Sequence, residues 1–214
     1  FPTRRSSDLV SKVIVEGLLD GRLRPGDRLV ENDLVDQLGV SRSPIREALT
    51  ELARSGMVVR EPGRGGRIRE WTKKDLEDLF GVRSELEGYA ARLASARMTR
   101  GFTTKAAKII AKMRKAAKKD DYLAMIELDL EFHESLWALS GNDLPQDVLN
   151  GLSQQVRFFL TLNWRFHGGL EEVAGNHEVL LNALASGDAK RAETAMHDHV
   201  VVEKMVAAFA KSEG

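Results

Sequence analysis

The stretch Glu31–Arg69, ENDLVDQLGVSRSPIREALTELARSGMVVREPGRGGRIR, constrains this chain more than any other. Leu34, Val35 and Leu38 give a short apolar stripe over 31–38, and Gly39 stands where a left-handed residue would end a helix. Ser41 or Ser43 can cap the next helix, and Pro44 falls in its first turn, where a missing N–H costs little. Ile45, Ala48, Leu49, Leu52 and Ala53 make that helix's buried face. Met57–Glu61 and Arg67–Glu70 read as short strands about Pro62-Gly63-Arg64-Gly65-Gly66. Helix, tight turn, helix and a Gly-rich basic hairpin together make a winged helix-turn-helix, a shape that sets one helix end in the major groove of DNA.

The side of the second helix turned away from its apolar stripe carries Ser43, Arg46, Glu47 and Thr50, with Arg42 at the N-terminal tip. Arginine can pair bidentately with guanine, and a helix N-terminus favours a phosphate. Glu47 reads as an intramolecular partner rather than a base reader. Net charge is zero, so bulk charge points nowhere, but residues 40–70 hold seven Arg against four Glu. A modest basic patch on a neutral body suits a DNA-binding module better than an RNA-coating protein.

The flanks bound the rest. FPTRRSSDL lacks the apolar core of a signal peptide, no run of 18 apolar residues could span a membrane, and there is no Cys. These features suit the cytoplasm. Residues 1–7 show no periodicity and begin at Phe, so they are expected to be non-native or disordered, not a minor-groove arm built on Arg4 and Arg5. Residues 8–20 carry Leu9, Val13, Val15, Leu18 and Leu19 at mostly helical spacing, with Asp8 able to cap the start, Gly21 ending the helix and Leu23-Arg24-Pro25-Gly26 forming a turn.

After Trp71 the character changes. Six amphipathic helices fit, at about 73–98, 103–119, 121–139, 143–165, 170–186 and 188–211, with breaks at Gly101, Asp120, Gly141-Asn142, Gly168-Gly169 and Gly187-Asp188. No strand is expected from 72 to 212. The fold class is therefore mainly α: a winged helix-turn-helix over 8–70, then an all-α bundle over 71–214 long enough to enclose a pocket. From Arg100 to Lys119 there are eight basic residues and no acidic one. Lys105, Lys108, Lys112, Lys115 and Lys119 line one face and Phe102, Ala106, Ile109, Met113 and Ala116 another, which reads as a solvated basic face over a buried one.

In LDLEFHESLW, Asp129 and His133 are four apart and so share a helix face. His177 lies in NHEVLLNAL, and His199 in MHDHV on the following helix. One carboxylate and three imidazoles suit a borderline divalent cation such as zinc, nickel or manganese, with coordination left open for a small carboxylate. His197 points elsewhere on its helix and His167 falls in a Gly-rich loop, so neither is chosen. Arg83, in VRSELEG, and Arg157, in QQVRFFL, could clamp an effector carboxylate; the alternative is an ion pair within the bundle.

The segment GRLRPGDRLVENDLVDQLGVSRSPIREALTELARSGMV resembles the N-terminal domain of GntR-family bacterial transcription regulators, without gaps through LxPGxxLxExxL, LGVSRxPxREAL and LxxxGMV. The resemblance implies operator contacts by Arg42, Ser43 and Arg46 beside Ser41, with Gly63 at a wing tip entering the minor groove. One departure stands out: after Glu31 the family often has a DNA-contacting Arg, where this chain has Asn32. Residues 72–210 resemble the effector domain of the FadR-type branch, through RSELEGYAARLA, DLEFHESLWALSGN and HEVLLNALASGDAKRAETAMHDHV, at the shorter, VanR-like length. In members with a metal site, the Asp/His pair and two later His match Asp129, His133, His177 and His199.

These readings imply a ligand-responsive regulator that binds a pseudo-palindromic operator as a homodimer, since two-fold protein symmetry calls for two half-sites. A metal-independent regulator sensing a larger apolar ligand is the second reading. A metal-dependent enzyme is the third; no evident general base accompanies the site, and the winged helix would stand unexplained.

Overall fold

The computed structural model describes residues 6–61, 63–163 and 169–200. Arg4, Arg5, Pro62, His167 and Gly168 lie outside the described residues, as do the ends of two expected helices at 164–165 and 201–211. The chain divides into two compact units, Phe1–Thr72 and Lys73–Gly214. The architecture is mainly helical, with one small sheet.

The first unit holds α1 (Ser6–Leu19), β1 (Arg28–Leu29), α2 (Glu31–Leu38), α3 (Arg42–Arg54), β2 (Val58–Glu61) and β3 (Gly65–Ile68). α1 starts before Asp8, which sits in its first turn instead of capping it, and Ser7 is already buried. The face that α1 buries is Val10, Ile14 and Leu18, spaced by four, while Leu9 is half exposed. Burying each such side chain is worth about 1.5–3 kcal/mol. Against α1 packs α3, whose Ile45, Ala48, Leu49 and Leu52 are buried. Gly39 ends α2 in the left-handed region at φ 64°, and its N–H reaches Val35 O at 2.9 Å. Ser41 occupies the N-cap of α3 without a side-chain cap bond, so the expected serine cap is not made there.

The sheet is antiparallel in the order β1-β3-β2, with Arg28 opposite Arg67 and Val58 opposite Ile68. Two things differ from expectation: β1 exists, and the outgoing strand begins at Gly65 instead of Arg67. Gly65 explains both. Its φ is +101°, and a Cβ there would fall 2.1 Å from Leu29 O. Only glycine lets β1 approach this closely, so the residue that looked like loop belongs to the strand.

The second unit comprises α4 (Lys73–Ser95), α5 (Arg100–Ala117), α6 (Tyr122–Ser140), α7 (Asp143–Asn163), α8 (Leu170–Ala185) and α9 (Ala189–Val200). The break before α5 lies at Thr99, whose hydroxyl accepts from Phe102 N, so Gly101 is inside the first turn. Asp120 turns the chain at φ 51°, and the Asp121 carboxylate caps α6 by accepting from Ala124 N. α5 buries Phe102, Ala106, Ile109, Met113 and Ala116 against α6 and α8 and exposes Lys105, Lys108, Lys112 and Lys115, with Lys119 exposed just beyond its end. Phe132, Leu136, Trp137 and Phe159 lie at the centre of the bundle. No helix among the described residues is long and apolar enough to cross a membrane.

Candidate metal centre and nucleic-acid interface

α4 packs on α6, α8 and α9, and α8 packs on α9, so these four helices enclose one polar point inside an apolar bundle. The i, i+4 spacing of Asp129 and His133 on α6 aims both at that point. α8 contributes His177 and α9 contributes His199. One donor atom from each of these four residues lies within 4.8 Å of the others. His133 is 1% exposed and His177 is wholly buried. The edge of Phe132 holds the His177 ring, their centroids 4.9 Å apart at 86°.

Hydrogen bonds fix which nitrogen is free on His177 and His133. His177 Nδ1 lies 2.8 Å from Val173 O, and a carbonyl only accepts, so Nδ1 carries the proton and Nε2 the lone pair. That Nε2 is 3.2 Å from Asp129 Oδ1 yet is buried without an aligned hydrogen bond. His133 Nδ1 hydrogen-bonds Glu87 Oε2, which leaves its Nε2 facing His199 Nε2 at 3.2 Å. At that distance either a proton on His199 Nε2 or a cation between the two nitrogens would join them. Two donors each about 2.0–2.1 Å from a tetrahedral zinc would be about 3.3 Å apart, so the donor set and its spacing fit a divalent ion.

The electrostatics agree. Burial opposes charge on Asp129, but the His177 contact, with His133 and Arg83, holds its carboxyl well below the usual range, so it is an anion. Burial, reinforced by His177 and His133, pushes His199 well below the ordinary histidine value and keeps it neutral. A carboxylate and neutral imidazoles are the forms that bind metal.

Glu87, on α4, escaped the sequence reading. It is wholly buried, accepts from His133 Nδ1, and pairs with Arg83 Nε at 2.5 Å. Burial works against its charge, but Arg83 and His133 prevail and hold its pKa at about 2. Glu87 thus does for His133 what the Val173 carbonyl does for His177: it orients the ring and selects the tautomer. The signal was the i, i+4 spacing from Arg83, indistinguishable from any surface pair until α6 is placed alongside.

Arg83 was read as an effector clamp with an ion pair as the alternative. The ion pair is what forms, with Glu87 and almost fully buried. Arg157 likewise bonds Glu127 and is one-third exposed. The Nε of Arg157 is buried without a hydrogen-bond partner among the described residues. His197 stays out of the donor set: its Nδ1 is 2.9 Å from Ser84 Oγ, and its ring lies over Gly88, where a Cβ would come within 2.6 Å of Nε2.

An open pocket reaches the donor set at Asp129, lined among the described residues also by Tyr122, Met125, Ile126, Leu160, Leu170 and Val173.

In the first unit, Ser41, Arg42, Ser43 and Arg46 are exposed at the start of α3, and Asn32 is exposed on α2. Arg46 Nε bonds Glu31 Oε2 at 2.8 Å, and Arg60 reaches the same carboxylate at 3.7 Å, so Glu31 links α2, α3 and β2. The Thr50 hydroxyl turns back to Arg46 O at 2.7 Å. Gly63, at φ +71° in the hairpin turn, has open space about its Cα.

Comparison with known proteins adds the family. Residues 7–68 match the model for bacterial regulatory proteins of the gntR family, and residues 78–201 match the FCD domain. The chain is 31% identical over 191 residues to the "Probable D-xylose utilization operon transcriptional repressor" of Paenarthrobacter nicotinovorans, covering 89% of this chain and 84% of that protein. It is 34% identical over 148 residues to the "Nta operon transcriptional regulator" of Aminobacter aminovorans, covering 66% and 67%. Among solved structures, E. coli McbR/YncC has the same fold, with a TM-score of 0.75 and 23% identity over 99% of this chain and all of that one. A transcriptional regulator GntR from Rhodococcus sp. RHA1 gives 0.70 at 23% identity, over 96% and 98%. The chain therefore belongs to the GntR family of bacterial transcriptional regulators, in the branch that carries an FCD domain.

Proposed function

We propose that this regulator binds a pseudo-palindromic operator as a homodimer in the cytoplasm. In this reading, a divalent metal, zinc by its donor set, is held by Asp129, His133, His177 and His199. Bound there, the ion offers open coordination to the carboxylate of a small metabolite. The observation that carries the reading is the convergence of four donors from three helices, two of them with the lone pair fixed at Nε2 by Glu87 and Val173. The chain's own residues do the rest: Asp129 supplies the negative charge, Phe132 and Trp137 flank the rings of His177 and His133, and Arg83 holds Glu87 in place.

On the output side, Arg42, Ser43 and Arg46 contact base edges and phosphates, with Ser41 and Asn32 beside them and Gly63 at the wing tip. The effector alters operator affinity only so far as it binds two arrangements of the protein unequally.

Metal analysis of protein purified without chelator tests the centre. One equivalent per chain is expected in the wild type and much less in His177→Ala; a metal-free wild type under zinc supplementation overturns it. Titrating labelled operator with and without the bound acid tests the switch, and an unchanged affinity sinks it.

A further inference from the structure

We propose that Glu31 is a positioning residue for base recognition: its carboxylate holds the Arg46 guanidinium in the pose that reads a guanine. This rests on the base contact given to Arg46 above. α2 carries Glu31, Asp33 and Asp36 and no basic residue. Asp33 and Asp36 are exposed, whereas the Glu31 side chain is only 13% exposed, with an arginine from each of two other elements closing on it. Arg46 Nε, on α3, lies 2.8 Å from Oε2, and Arg60 Nη2, on β2, lies 3.7 Å from Oε1. One carboxylate thus meets two cations, and the cluster keeps a net positive charge. The Arg46 side chain is 59% exposed, so solvent screens the pair and it contributes little to stability. What it contributes is orientation.

A guanidinium is planar, so holding Nε–H fixes the plane and aims the far end of the group. In Arg46 that end is available: neither Nη nitrogen has a hydrogen-bond partner among the described residues. Two parallel N–H groups from one arginine are what guanine O6 and N7 accept. An unheld arginine at so exposed a position samples many rotamers and settles on a nearby phosphate, a contact that carries no sequence information. Glu31 acts through Arg46 and not on the DNA itself, because its charge opposes phosphate and both its oxygens face arginines.

The test uses the full chain and selection of bound duplexes from a random-sequence pool, then anisotropy titration of the selected site and of a mixed-sequence duplex lacking it. Arg46→Lys keeps the charge but not the paired N–H groups, so the guanine whose preference it erases is the one that Arg46 reads. Glu31→Ala should lower the preference at that same position about tenfold, within the roughly 5- to 150-fold that one arginine–guanine pair discriminates, and leave the other positions alone. Binding to the mixed-sequence duplex should hold or strengthen, and its salt slope should steepen by about one as the released Arg46 takes a phosphate. Glu31→Gln still accepts from Nε and should keep part of the preference. Equal tightening on both duplexes, with the guanine preference intact, would make Glu31 a brake on Arg46 and overturn the inference. An equal loss on both duplexes in Glu31→Ala and Glu31→Gln alike also overturns it, as the mark of a residue that serves only the fold. Arg46→Lys altering no position would refute the base contact given to Arg46, and the positioning role with it. Arg46→Lys erasing a guanine that Glu31→Ala retains would refute the positioning role alone.

Discussion

Glu87 shows how much depends on one side chain outside the donor set. It accepts from a histidine of the proposed metal site and balances a buried guanidinium at once. Glu87→Gln keeps the shape and removes the charge. Arg83 then loses the carboxylate it pairs with inside the bundle, which costs up to about 3–5 kcal/mol of stability. The weakened hold on His133 lowers metal affinity about 10- to 100-fold. Adding Arg83→Met separates the two effects: urea denaturation should show most of the stability restored, while competition against a chromophoric chelator should show metal affinity still low. If affinity returned with stability, Glu87 would be only structural. Gly88, one residue on, makes a second case. A Cβ there would meet the His197 ring, which Ser84 pins at 2.9 Å. Gly88→Ala should cost about 1–3 kcal/mol by overpacking, and the double variant with His197→Ala should recover most of it; additive losses would refute the steric account. The histidines and Asp129 were legible because they are scarce or regularly spaced. Glu87 was not, because it is one of 32 acidic residues and meets its partner across 46 residues of chain.

Among the elements, legibility followed the contrast between faces. α5 separates lysines from apolar residues so cleanly that both stripes can be read by counting, and the structure exposes the one and buries the other. Met113→Ala should therefore cost about 2–5 kcal/mol in chemical denaturation, whereas Lys112→Ala stays within about 0.5 kcal/mol. A comparable loss at both would mean that the lysine face is covered. α1 has apolar residues almost all round, so the periodicity alone chose Leu9 and Val13 where packing chose Val10 and Ile14. β1, two residues long, has no period to read; only the close approach at Gly65 betrays it, and that is a property of the folded backbone. The start of α5 was misjudged because glycine was taken as a breaker, while Thr99 supplies the actual cap.

At the scale of the whole molecule, the two units have separate cores, one built on α1 and α3 and the other on the long bundle, and the proposed metal lies wholly within the second. Its donors come from α6, α8 and α9, and α4 supports them through Glu87, so an ion there ties together helices distant in sequence. The unfolded chain has no such site, which makes binding energy folding energy. With free metal at about a thousand times its Kd, the bundle gains about 4 kcal/mol. For a unit of this size that corresponds to roughly 10–15 °C in melting temperature, taking about 2–4 °C per kcal/mol. Calorimetry of protein stripped by chelator should therefore show the bundle transition fall by that amount and return on adding zinc, while the winged-helix transition stays in place. His177→Ala should melt at one temperature whether or not metal is added. A wild-type transition indifferent to chelator would remove the ion from the fold's energetics. Equal shifts in both transitions would show that the two units unfold together, so that metal occupancy in the bundle is felt directly by the unit that carries α3.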